Sequence, residues 1–411
     1  MNTGKLVTMI LIAALVASAA SGTGAAALGP ARPAPAAAAD AHAWHIEVLD
    51  DAAWGGASLA LDAAGHPHIT YYDGALQYAH HDGTTWHFST VDSSGDVGYW
   101  NSLALDSMGR PHVSYRDWTG MDLKYAYFDG VTWSVATIDS AGNVGGFTSL
   151  ALDASDLPHI SYCVFSPEWD LKYAHYNGTT WDIATIDGPA DVGRYSSLAL
   201  DGAGRPHIAY YDDSNKDLKY AHHNGGRSSG TAFSFSKAET DTDTDTDFGQ
   251  AQGWQIEVVD GGGDVGQYTS IAIDGLGRPH ISYHSGDPDW DLKVAFKDGA
   301  TWQIETVDAV GWVGVDTSLV VDAGGLIHIA YRQFSDWDLR YAYHNGSIWR
   351  TETVDSANAV GAFASLALDA AGRPHIAYYD DTDGKVKYAW GEWGCFVHLP
   401  LLCRGCVVPA R

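Results

Sequence analysis

Basic residues are scarce: 23 Lys and Arg stand against 51 Asp and Glu, a formal net charge of −28 over 411 residues. Phosphate recognition needs clustered cations, so nucleic acid is excluded as the expected partner. An anionic membrane surface is disfavoured for the same reason. Cysteine is rare, with four residues at positions 163, 395, 403 and 406. In an oxidising compartment the three in the tail allow one disulfide and leave one thiol unpaired. Long apolar runs are also missing. The only notable one, Leu6 to Val16, falls short of the ~20 residues that span a bilayer. No integral membrane segment is therefore expected in the mature chain. What is plentiful is apolar and aromatic material, 45% and 12% of residues, enough for a core and against global disorder.

The first nineteen residues read as a secretory signal peptide, with a charge at Lys5, the apolar run and the small-residue site Ala17-Ser18-Ala19. Residues 20–43 are rich in Ala, Pro and Gly without a hydrophobic period, which predicts a flexible linker. The expected product is exported, either secreted or held at the cell surface.

One unit is written seven times. Its anchor is Ser-Leu-Ala-Leu-Asp and variants, starting at Ser58, Ser102, Ser149, Ser197, Ser270, Ser318 and Ser365. The period is 44 to 48 residues, except one step of 73 that contains a Gly/Ser and Thr-Asp tract at 226–252. Each unit runs Trp-led segment, anchor, Pro-His-Ile-x-Tyr, then Asp-Leu-Lys-Tyr-Ala. All four alternate with period two and are rich in β-branched and aromatic residues, so they read as strands. Asp-x-x-Gly, as in Asp106 to Gly109, joins the anchor to Pro-His-Ile-x-Tyr. Asp-Gly or Asn-Gly, as at Asp82-Gly83 and Asn177-Gly178, predicts a tight hairpin with both central residues at positive φ. Four antiparallel strands at this period predict an all-β, seven-bladed β-propeller over residues 44–391, with a tail at 392–411. The chain starts on a Trp-led strand and ends its last full unit on a third strand. The N-terminal strand Trp44 to Asp50 is thus expected to complete blade seven, in preference to a competing closure by the run from Trp393 to His398.

Residues present in every copy are expected to serve the ring. The seven His at 68, 112, 159, 207, 280, 328 and 375 tempt a metal reading. Ring-related copies should lie roughly 8–10 Å apart or more, since they sit a ~4.8 Å strand spacing outside the inner strand. That is too far for shared ligation at ~2.0–2.1 Å per bond, so each imidazole is expected to hydrogen-bond inside its blade. The recurrent Trp should fill the gaps between blades. The two recurrent Asp, one ending the Trp-led strand and one ending the anchor, should accept turn N–H groups. Alternation gives each blade a bulky side and a small side, which stack on one another.

Function is expected where the copies disagree, in two connections that propeller geometry puts on one face. The connection into the anchor carries Asp-x-x-x-Asp/Asn-Val-Gly-x-aromatic, with Trp100, Phe147, Tyr195, Tyr268 and Phe363, Asp316 as the exception and Trp54 in a shortened first copy. The connection after Pro-His-Ile-x-Tyr carries Tyr72 and Asp73, Arg116, Asp117 and Trp118, Glu168 and Trp169, Tyr211, His284 and Trp290, Arg332 and Trp337, and Tyr379 and Asp380. Flat rings beside hydrogen-bonding groups suit sugar faces or extended peptides. The ligand-binding candidates are Trp100, Arg116, Asp117, Trp118, Trp169, Tyr195, Tyr211, Tyr268, Trp290, Arg332 and Trp337, facing a glycan or an extracellular protein. No catalytic residue, metal ligand or cofactor is assigned.

The repeat resembles secreted bacterial seven-bladed propellers and, more loosely, propeller lectins and sialidase-like (BNR-repeat) proteins. Lectin resemblance implies glycan binding without catalysis. Sialidase resemblance implies an Asp-box, Ser-x-Asp-x-Gly-x-x-Trp, on an outer hairpin. Gly178-Thr-Thr-Trp181 and its copies keep Gly-x-x-Trp, but His81, Phe128, Tyr176, Lys297 and His344 stand where the Asp belongs. A sialidase would also need clustered arginines, a Tyr nucleophile with Glu, and an acid Asp; Arg116, Arg194, Arg332, Tyr211, Glu168 and Asp117 are the residues available. A sialidase-like glycosidase and a surface scaffold without a small ligand stand as alternatives to the binding module. The acidic tract Asp241 to Asp247 lacks the glycine turn and bidentate Glu of a built Ca²⁺ site, and is expected to be a solvated loop.

Overall fold

A computed structural model describes residues 42–51, 53–166, 169–225 and 253–393. The signal peptide, most of the linker, the 226–252 tract, Glu168 and the three tail cysteines lie outside the described residues. Among the described residues there are twenty-eight strands, β1–β28 in chain order, and none of them is helical. No helix there is long and apolar enough to cross a membrane.

Seven sheets of four antiparallel strands form the ring. Blade one is β2 (Gly55–Leu61), β3 (Pro67–Tyr72), β4 (Leu76–His81) and β5 (Trp86–Asp92), from the channel outward. Blades two to six repeat this order at 97–139, 143–187, 192–260, 265–308 and 313–355. Blade seven takes three strands from the C-terminal end and its fourth from β1 (His42–Asp50), which pairs antiparallel with β28 (Lys385–Trp393). The N-terminal strand therefore closes the ring. Trp393 belongs to the end of β28, opposite His42, so the strands reach two residues beyond 44–391 at each end.

The bulky and small sides stack as the alternation predicts. Each of seven apolar clusters holds the anchor Leu or Ile of one blade against an anchor residue of the blade before it, Ala in six and Val320 in the seventh. Leu198 with Ala151 and Leu150 with Ala104 are examples. The seams are also stitched by polar groups. Leu103 N–H donates to Ser58 Oγ at 3.0 Å, and equivalent bonds reach Ser102, Ser149, Ser197, Ser270, Ser318 and Ser365, closing a ring of seven.

Six of the seven recurrent His place Nδ1 against a Tyr hydroxyl in their own blade, as His207 does with Tyr220. Blade five has Val294 where that Tyr would stand, and His280 Nε2 lies 3.2 Å from Asp274 instead. The same tyrosines meet the recurrent Trp of the next blade edge-on, as Tyr78 meets Trp133 at 5.3 Å. Blade six packs Trp44 of blade seven in the same way, against Tyr341.

Two expectations need revision. The anchor Asp do accept turn N–H groups, but the Asp ending each outer strand does more. It also accepts the hydroxyl of a Tyr in the following blade, in all seven copies, from Tyr71 to Asp50 through Tyr378 to Asp355. The Asp-Gly and Asn-Gly hairpins put only the glycine at positive φ. Asp82 and Asn177 instead use a side-chain oxygen to accept two backbone N–H groups of their own loop, which fixes a four-residue connection.

Candidate functional site

The site begins with a bulge in each inner strand. In six blades Val-Gly opens that strand, and the glycine lies at positive φ against the preceding blade. A Cβ on Gly145 would lie 2.9 Å from the Asp122 carbonyl oxygen. Two residues on, the chain passes through the left-handed region at Trp100, Phe147, Tyr195, Tyr268, Asp316 and Phe363, with φ between 47° and 55°. Bulky residues seldom adopt it. Here it is held from the next blade: Thr148, Ser196 and Thr317 hydroxyls donate at 2.8 Å to the carbonyls of Trp100, Phe147 and Tyr268. The backbone thus turns these side chains into the mouth of the central channel, around a cavity of about 250 Å³.

The rings form a continuous arc. From Trp54 it runs through Tyr72, Tyr99, Trp100, Phe147, Tyr195 and Tyr268, with successive centroids 4.5 to 6.1 Å apart. It continues through His284, Trp290, Trp312, Phe334 and Trp337, spaced 4.1 to 6.3 Å. Most of these side chains are at least half-buried. Trp54 and Trp337, with Trp118 beside the arc, are the exposed rings of this face: 64%, 39% and 49% of their surfaces face solvent.

Arginines back the arc. The Arg116 guanidinium lies between Trp118 and Phe165, 4.7 and 4.6 Å from their centroids. Arg194 covers Trp169 at 4.0 Å, and Arg332 lies 4.6 Å from Trp337. Each also has its own acceptor. Arg116 is buried and donates to the Val144 carbonyl and to Asn143 Oδ1, and burial pulls it down to about 10. Arg194 pairs with Asp213 at 2.9 Å, and buried Arg332 pairs with Asp381.

The sequence candidates fall into groups. Trp100, Tyr195 and Tyr268 stand on the channel ring. Arg116, Asp117, Trp118 and Trp169 gather over blades two and three, with Asp117 accepting the Gly120 N–H at 2.8 Å. Trp290, Arg332 and Trp337 gather over blades five and six. Tyr211 backs the ring at Tyr195, 6.3 Å away between centroids; it is buried, and its hydroxyl donates to Asp264 at 2.6 Å. Burial and that carboxylate push the phenol well above its ordinary range.

Four members of the arc and its backing were not singled out from sequence: Tyr99, Phe165, Trp312 and Phe334. The repeat does carry a signal for three. Phe165 and Phe334 occupy the place of Trp118 when second strands are aligned on their Tyr, and Trp312 replaces the Asp or Asn before Val-Gly.

Asp316 is the acid in the aromatic ring. Burial raises it to about 6, with the Phe363 N–H and Arg332 opposing the shift and Asp381 adding to it. His284 moves the other way, to about 4, chiefly through burial; its Nδ1 lies 2.7 Å from the Val313 carbonyl oxygen.

No family model and no curated protein matches the chain. Solved structures match it in fold. An inactive variant of virginiamycin B lyase from Staphylococcus aureus, bound to quinupristin, has a TM-score of 0.55 and 9% identity, covering 85% of this chain and 99% of that one. An ulvan lyase of a new polysaccharide lyase family, bound to a GlcA–Rha3S unit, gives 0.53 at 12% identity, covering 80% and 90%. A protein of unknown function from Dyadobacter fermentans gives 0.50 at 10% identity, covering 72% and 94%. At these identities the likeness is architectural: the chain is a closed seven-bladed propeller, similar in fold to these proteins.

Proposed function

We propose that the protein is an exported, non-catalytic binding module that recognises a glycan through the aromatic and acidic face at the channel mouth. One observation carries this reading: Trp118 and Trp337 are exposed indoles whose planes are fixed by the arginines packed against them. A rigid flat ring loses little conformational entropy when a sugar stacks on it. Asp117 and Asp381 lie beside these platforms and are suited to accept sugar hydroxyls.

Binding is favoured over hydrolysis because Arg116, Arg194 and Arg332 sit on blades two, four and six, each held by its own acceptor. A sialoside carboxylate would need them converged. A glycan array and a secreted-protein array on the mature protein test the reading. Saturable binding to a defined sugar is expected, with no turnover of a fluorogenic sialoside. Turnover abolished by Arg332→Ala would overturn it, as would binding confined to the protein array.

A further inference from the structure

Around the channel mouth the seven blades place Gly56, five aromatic residues and Asp316 at one level. Asp316 is the single carboxylate lining that cavity, whose other polar walls are Ser and Thr hydroxyls, the Tyr195 and Tyr268 phenols and the Asn101 amide. It is half-buried, and among the described residues it has no ion-pair partner, because nearby Arg332 is bound to Asp381. A carboxylate held partly out of water, whose one nearby cation is already bound to another carboxylate, is under-compensated until something supplies a second cation.

We propose that this mouth receives a protonated primary amine, with Asp316 as its counter-ion and a free-amine sugar as the group that carries it. The inference rests on the glycan reading above and deepens it. A cavity of roughly 150 Å³ accepts benzene, so about 250 Å³ has room for one six-membered sugar ring with its substituents. The hydroxyl-lined walls suit the neutral groups of such a ring. The net charge of −28 draws cations toward the molecule from a distance. The charged and titratable groups facing Asp316 are Arg332, Asp381, Tyr99, Tyr195 and Tyr268. With Asp316 raised to about 6, the empty site loses its negative charge below that pH, while an amine keeps its proton.

Calorimetric titration of the mature protein tests this with a glucosamine oligosaccharide, its N-acetylated counterpart and a lysine-containing peptide. The free-amine sugar should bind about tenfold more tightly than the acetylated one near pH 6.5, and Asp316→Asn should erase that preference. The preference should also shrink at least about threefold near pH 4.5 in the unaltered protein, an arm that needs no variant. Equal binding of the two sugars, or a preference that survives Asp316→Asn, overturns the ammonium site and leaves the glycan reading standing. Asp316-dependent binding of the peptide with neither sugar bound overturns the sugar as carrier and the proposed function with it. No binding of any probe overturns the ammonium site and leaves the glycan reading to the array.

Discussion

Asp316 shows how one departure from a repeat carries its own energetics. Five copies place an aromatic ring at its position and one places Gly56. Burial raises its pKa from the usual 3.8 to about 6. The sign follows from linkage: the folded state holds the proton more tightly than the unfolded chain, so stability is lost as the pH rises from the unfolded value through about 6, and the penalty is complete above that. Below the unfolded value both states are protonated and the penalty vanishes. Asp316→Asn should therefore stabilise the protein by on the order of 2–3 kcal/mol near pH 8 and change little near pH 3.5. Urea unfolding at the two pH values measures this, and an equal effect at both would contradict the assigned cause. Legibility at this scale was uneven. The recurrent His and Trp could be assigned to the ring from repetition alone, because a residue present in every blade must meet the same neighbours. Tyr99 could not be placed, because it meets Tyr72 of blade one and Phe363 of blade seven and no local period records those contacts.

At the scale of an element, the Val-Gly opening of the inner strand shows what sequence patterning hides. The motif reads as a loop, yet it builds a bulge that packs backbone against backbone across a seam. Gly266 has φ +100°, and a Cβ there would lie 2.6 Å from Leu218 Cα. Gly109, in the turn after an anchor, has φ +75° with nothing within 4 Å. Gly109→Ala should cost only the left-handed penalty, roughly 1–2 kcal/mol. Gly266→Ala adds an overlap with main chain that cannot move aside, a further 1–3 kcal/mol or so. Chemical denaturation of both variants checks the difference, and equal losses would remove the seam contact as the reason for glycine. The hairpin turns teach a related lesson. Asp-Gly and Asn-Gly marked the right positions, but the side-chain oxygens of Asp82 and Asn177 decided the loop form.

For the whole molecule, the seven-blade count and N-terminal closure were legible because the repeat begins on an outer strand and ends on a third strand. β1 also joins the seam network: Tyr71 donates to Asp50 at 2.8 Å, and Trp44 meets Tyr341 edge-on at 5.4 Å. Deleting residues 20–50 should expose the edge of β28 and lower the melting temperature by on the order of 10 °C or more. An unchanged melt would mean another strand closes the ring. The inter-blade Asp–Tyr bonds were hidden for a different reason. Each joins two blades from within one sequence unit, so the register of strands inside a blade does not reveal it, although the spacing of 23 residues from Asp92 to Tyr115 recurs at six of the seven seams.

The division of labour between repeated and irregular residues is tested most directly by titrating a bound glycan against two folded variants. Trp118→Ala with Trp337→Ala should lose at least about tenfold in affinity with little change in melting temperature. Trp133→Ala, which removes a repeated wedge packed on Tyr78, should lower the melt and leave the affinity of the folded fraction intact. Unaltered affinity in the double variant would contradict the account.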